Sequence, residues 1–170
     1  MKKIDLKTLE RKIVVRPLKI EDYDQLVKLQ ELCFPGMKTW TKEQIQSQLD
    51  IFPEGQICIQ LNKKLVASSS SLIVDFDVYD EGDDWKKLSD SGYITNHDPD
   101  GETLYGIEIM VHPDYRGYKL SRRLYSERKK LAVEKNLKNI VIGGRILRAS
   151  MVTPRWLTNT TNVPGVLLGG

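Results

Sequence analysis

The spacing of apolar residues divides the chain into alternating stretches of strand and helix. Ile13 to Arg16, stopped by Pro17, reads as a first strand. From Ile20 to Cys33 the positions Ile20, Tyr23, Leu26, Val27, Leu29 and Cys33 trace one helical face, which Pro35-Gly36 ends. A second helix starts after Thr41, because Thr41 and Gln44 have the spacing of a capping box, in which each side chain satisfies a free backbone amide of the other. Gln56 to Leu61 and Lys64 to Val74 are runs of strand formers around the short polar turn Asn62-Lys63, a hairpin signal, with Gly55 in the loop before them. Leu104 to Val111 reads as the central strand and His112 to Lys119 as a polar loop. A helix then repeats its apolar residues at Leu120, Leu124, Leu131 and Ala132, and Asn139 to Ile142 follows as another strand.

Three stretches fall outside this regular pattern. Residues 1–12 carry helical spacing at Ile4, Leu6 and Leu9 and read as a short arm. Residues 75–103 are acidic, with Gly82, Gly92, Pro99 and Gly101, and read as a solvated lid with Trp85 and Tyr93 as packing anchors. Its Asp75, Asp77 and Asp80 miss the calcium-loop spacing, since Tyr79 and Asp80 stand where a third ligand and a glycine are needed, so no metal is expected. Leu147 to Gly170 is rich in Thr, Asn, Pro and Gly, holds no Asp or Glu, and reads as an irregular tail. One domain over residues 1–146 is therefore expected, with 147–170 apart from it. The order of its elements predicts an α/β fold, a mixed central sheet flanked by helices.

Composition removes several classes of function. A chain of 170 residues with 40% hydrophobic and 29% charged residues is ordinary for a globular domain. A net charge of +3, without an arginine-rich arm or an aromatic-interleaved basic run, gives no reason to expect nucleic acid. Cys33 and Cys58 are too few for a disulfide scaffold and stand in no metal-binding cluster, so both are expected as buried thiols in a reducing compartment. No run approaches the roughly 18 apolar residues of a membrane span, and the charged start lacks a signal-peptide core. The expected location is the cytoplasm.

The strand, loop and helix between Leu104 and Glu134 carry the candidate chemistry. A strand feeding a tight turn that opens a helix aims backbone N–H groups and the positive helix end at one point, which suits a phosphate or pyrophosphate. Gly117 permits close backbone approach, and Arg116, Lys119, Arg122 and Arg123 make the point electropositive. The alternative from charge pattern alone is a solvated basic helix start.

The order of residues in this stretch resembles the acetyl-coenzyme A signature of the GNAT superfamily of N-acetyltransferases, V-x-P-x-Y-R-G running into a phosphate-cradling turn. Here Val111, Pro113, Tyr115, Arg116 and Gly117 hold those places. The family's turn is usually [QR]-x-x-G-x-[GA]; Arg116 matches its first position, whereas Lys119 and Ser121 replace the central glycine and the last residue. A positive φ at Lys119 would cost on the order of 1 kcal/mol. The acidic insertion with its tryptophan, the run GYITNHDPDGETLYGIE and GGRI resemble, more narrowly, the acetyltransferase half of bifunctional proteins that join a GNAT domain to a carbon–nitrogen hydrolase domain. That likeness covers residues 13–146.

The resemblance implies acetyl-CoA as cofactor. Its pantetheine arm would pair with backbone at Ile109, Met110 and Val111, and its pyrophosphate would rest on Arg116, Gly117, Tyr118, Lys119, Leu120, Ser121 and Arg122. The acceptor would be a primary amine of a small molecule or peptide. Glu108 is the first candidate for the general base, with Glu102 and His112 behind it. A tyrosine after the last strand commonly protonates the leaving thiolate in this family. None follows Tyr125 here, which leaves Tyr93, Tyr105 or Tyr118 to substitute. A non-catalytic acyl-CoA-binding or partner-contacting domain is the competing reading. The family also has further elements after the strand at Asn139 to Ile142. Without them, either Val163 to Leu168 folds back as an improvised strand or the exposed edge supports a homodimer.

Overall fold

A computed structural model of the chain describes residues 12–79 and 83–142. One sheet contains β1 (Ile13–Pro17), β2 (Ile57–Leu61), β3 (Lys64–Val74), β4 (Thr103–Val111) and β5 (Asn139–Ile142). The strands lie side by side in chain order, antiparallel from β1 to β4, with β5 parallel to β4. The helices among the described residues are α1 (Tyr23–Cys33), α2 (Lys42–Ile51), α3 (Trp85–Leu88) and α4 (Leu120–Glu134). This is the mixed, helix-flanked sheet that the order of elements predicts. The expected arm, the expected tail with Val163 to Leu168, and Asp80 lie outside the described residues.

Local chemistry explains the boundaries. Asn62 and Lys63 both take positive φ, +48° and +67°, as a two-residue hairpin turn of matching twist requires. The Oγ1 of Thr41 accepts from the Gln44 amide at 3.2 Å, and Gln44 Oε1 accepts from the Thr41 amide at 2.7 Å, which completes the capping box of α2. Helices α1 and α2 cover one face of the sheet, where Leu26, Leu29, Ile45, Cys58, Leu72 and Met110 are buried together. On the other face Ile59, Val66 and Ala67 meet Leu120 and Leu124 of α4. Cys33 and Cys58 are buried free thiols, and burial pushes the Cys58 thiol up to about 11.

The acidic insertion is packed more firmly than a solvated lid. Leu88 and Ile94 are buried, each worth roughly 1.5–3 kcal/mol of burial, and Trp85 meets Trp40 edge-on at 5.7 Å. Tyr93 is not an anchor as expected: it is 38% exposed, and its backbone carbonyl accepts from Ser47 Oγ. Gly55 is the buried end of a 3-10 turn, Pro53–Gly55, in the loop before β2. The Asp75 carboxylate accepts from the Asp77 amide, a local turn.

One irregularity positions the site. Ser70 of β3 stands opposite Glu108 of β4, but the next pair is Ser71 with Gly106, so Ile107 is an extra residue. This β-bulge reverses which face each later side chain of β4 takes. Gly106 therefore faces α4, and Glu108 faces α1 and α2.

Candidate active site

The turn after β4 has an open helix start. His112 Nδ1 accepts from the Asp114 amide at 3.2 Å and so caps the 3-10 turn Pro113–Tyr115. Gly117 then takes φ +86° and Lys119 φ +60°, both left-handed, before α4 begins. Lys119 thus keeps the backbone conformation that suits the family's glycine. No side chain caps α4, in contrast to α2, so the amides of its first turn are left as donors for an anion. Arg116, Gly117, Lys119 and Arg122 are exposed around them, and nothing lies within 4 Å of where a Gly117 Cβ would stand. Tyr118 and Ser121 are half-buried. Leu120 is buried in the core, so only its backbone can serve an anion.

Beside the turn, β5 pairs with β4 only from Thr103 to Gly106. From Ile107 to Val111, β4 has β3 as its one strand partner among the described residues. The Val111 carbonyl is already engaged, by the Cys33 thiol at 3.3 Å and Arg116 Nε at 3.4 Å. Of the three backbone positions expected to pair with pantetheine, Val111 therefore has its acceptor occupied in this conformation.

Glu108 projects to the α1–α2 face, at a narrow cavity lined by Leu26, Ile45, Gln48, Gln56, Ser68 and Ser70. Loss of hydration there raises its carboxyl to about 7, and the Arg128 charge opposes that rise; Trp40 Nε1 is buried without a hydrogen-bond partner. Trp40 is held by two bonds: its amide donates to Gln30 Oε1 at 2.8 Å, and its carbonyl accepts from the Tyr23 hydroxyl at 3.0 Å. The Cys33 thiol, bonded to the Val111 carbonyl, feels the charges of both Arg116 and Glu108. Glu108 thus stands on the strand that leads into the basic, uncapped helix start, and a carboxyl with a raised pKa in a cavity is a candidate for acid–base chemistry.

The reserve candidates sit elsewhere. Glu102 precedes β4 at its far end, exposed and paired with Lys138. His112 is buried, with both ring nitrogens close to polar neighbours, the Asp114 amide and Lys64 Nζ. Burial lowers its pKa. The Tyr105 hydroxyl is buried without a hydrogen-bond partner and pushed up to about 12, and Tyr93 lies beside α2, so neither stands at the turn. Two residues escaped the sequence reading. Arg128 occupies the sheet-facing stripe of α4 between Leu124 and Leu131, and a charge at an apolar position was the available signal. Trp40, in the connector before α2, carried no periodic signal.

Comparison with known proteins now decides the family. Residues 23–145 match the acetyltransferase (GNAT) family. The chain belongs to that family. It is 50% identical over 144 residues to the probable hydrolase YhcX of Bacillus subtilis, covering 85% of this chain and 28% of that protein. It is also 35% identical over 138 residues to the uncharacterized N-acetyltransferase YkwB of the same organism, 79% of this chain and 61% of that one. The chain thus spans less than two thirds of either relative. The small share of a hydrolase-named protein agrees with the likeness to bifunctional GNAT and hydrolase chains. Among solved structures, the loading GNATL domain of CurA from Lyngbya majuscula superposes with a TM-score of 0.66 at 20% identity, over 76% of this chain and 63% of that one. At that identity the likeness is one of fold. No helix among the described residues is long and apolar enough to cross a membrane, and no cluster of three metal-ligating side chains occurs among them.

Proposed function

We propose that this GNAT domain transfers an acetyl group from acetyl-CoA to a primary amine of a small molecule or peptide, with Glu108 as general base. The observation that carries this reading is the placement of Glu108: a desolvated carboxyl near pH 7, on the strand that leads directly into the uncapped basic turn. Bound acetyl-CoA would supply the activated thioester. Arg116, Lys119, Arg122 and the first amides of α4 would hold its phosphates, and Gly117 lets them approach. An acceptor arrives as an ammonium ion; a Glu108 carboxylate oxygen takes its proton and frees the lone pair for attack on the thioester carbonyl, after which the C–S bond would break and the thiolate would leave with the second proton shed by the attacking nitrogen. The two buried thiols suit a reducing compartment, and the cytoplasm is the proposed place of work.

Release of free thiol from acetyl-CoA over a panel of primary amines tests the reading. Turnover of at least one amine is expected, with Glu108→Gln slower by about 100-fold or more and binding of acetyl-CoA retained. Binding without turnover of any amine would favour a non-catalytic acyl-CoA-binding domain. Equal rates for Glu108→Gln and the parent would remove Glu108 as base.

A further inference from the structure

Arg128 is sealed from solvent, 0% exposed, in the third turn of α4. A guanidinium at such a depth is expensive unless its donors are used. Nε donates to Ser71 Oγ at 3.0 Å, and Nη2 donates to the backbone carbonyls of Ser70 at 2.8 Å and Glu108 at 2.7 Å. These bonds straddle the bulge, where the ladder between β3 and β4 breaks and carbonyls need other donors. Space for the group comes from Gly106, where a Cβ would stand 2.6 Å from Nη1 and 2.7 Å from Cζ. Nη1 has no hydrogen-bond partner, and no carboxylate is hydrogen-bonded to the guanidinium among the described residues. The arrangement is costly for a core position that an apolar side chain of similar volume and an unbulged strand would fill as well.

We propose that Arg128 is the positioning residue of Glu108: it clamps the bulge that turns the carboxylate toward α1 and α2, and it places a fixed positive charge behind the sheet that favours the ionised base. The proposal rests on Glu108 being the base. Around Glu108 stand Ser68 and Ser70 from β3, with Trp40 from the connector and the Cys33 thiol from α1 near enough to interact with it. Arg128 is the charge that favours its ionised form, while Trp40 Nε1 makes no hydrogen bond. Burial lowers Arg128 to about 10, which still leaves it protonated at neutral pH.

The test follows the Glu108 carboxyl by carbon-13 NMR titration of the whole chain, its resonance assigned by loss in Glu108→Gln. Arg128→Met is expected to raise the midpoint by about one unit or more, a tenfold change in ionisation. Arg128→Lys, which keeps the charge, is expected to stay within about half a unit of the parent. The acidic limb of kcat moves with the midpoint, a response that loss of packing alone does not produce. If Arg128→Met does not fold, Gly106→Ala displaces the guanidinium from the opposite strand and is expected to lower kcat by about tenfold or more. An unchanged midpoint in folded Arg128→Met, or parental kcat in folded Gly106→Ala, would overturn the proposal. Activity surviving in Glu108→Gln would remove the base instead, while the titration still reports on Arg128.

Discussion

Gly92 lies flat against the indole of Trp40, so close that a Cβ on Gly92 would stand 2.1 Å from Trp40 Cζ3. The glycine also takes φ +90°, so both space and backbone exclude a side chain. Gln48 Nε2 donates to its carbonyl at 2.7 Å and ties the insertion to α2. The acidic insertion is therefore packed against Trp40, whose Nε1 is buried without a hydrogen-bond partner. Gly92→Ala should destabilise the fold by about 2 kcal/mol or more, read by thermal denaturation.

The raised carboxyl of Glu108, the proposed base, should weaken the fold at neutral and higher pH. Its carboxyl rises from 4.5 to about 7 in the folded state, so between those values the unfolded chain holds fewer protons. Stability is then fullest below pH 4.5 and falls as pH rises through about 7. Glu108→Gln removes this penalty. At pH 8 the variant should be more stable by on the order of 2 kcal/mol, and at pH 4 the two should coincide. Urea denaturation at both pH values checks this, and a parent protein of equal stability at pH 8 would contradict the raised carboxyl.

Lys119 trades strain against charge. Replacing it with glycine relieves the left-handed φ of +60° and should stabilise the free protein by up to about 1 kcal/mol. The same change removes a cation from the turn and should weaken coenzyme A binding in calorimetry. A variant that melts lower and binds as well would show that the lysine serves packing instead.

Gly117→Asp should reduce coenzyme A affinity much more than Arg122→Ala. The aspartate brings a side chain to φ +86° and a negative charge to the helix start, whereas Arg122 is one exposed cation among several. Equal losses would mean a diffuse basic patch.

Regular elements were legible in the sequence because their periods were intact: Thr41 and Gln44 announced α2, Asn62-Lys63 announced the hairpin, and Leu120, Leu124 and Leu131 announced α4. The bulge was not legible. Residues 104–111 are apolar on both sides of Glu108, so no alternation marked the extra residue at Ile107 or the face that Glu108 would take. Trp40 and Arg128 escaped for related reasons. Each comes near Glu108 across a separation of 68 or 20 positions, visible only once the sheet assembles. The left-handed Lys119 was anticipated from the family's glycine, but its reality depended on the backbone.

The single extra residue at Ile107 also has a consequence for how such a domain diversifies. Because the bulge sends Gly106 toward α4 and Glu108 toward α1 and α2, the turn that opens α4 and the pocket around Glu108 draw on opposite sides of one sheet. Substitutions on the α1–α2 side are then free to drift, in nature or in a selection library, without re-engineering the basic turn proposed to hold phosphate. Cys33, touching the Val111 carbonyl and sensing both Glu108 and Arg116, is where that independence stops, and libraries that vary it would be expected to lose both properties together.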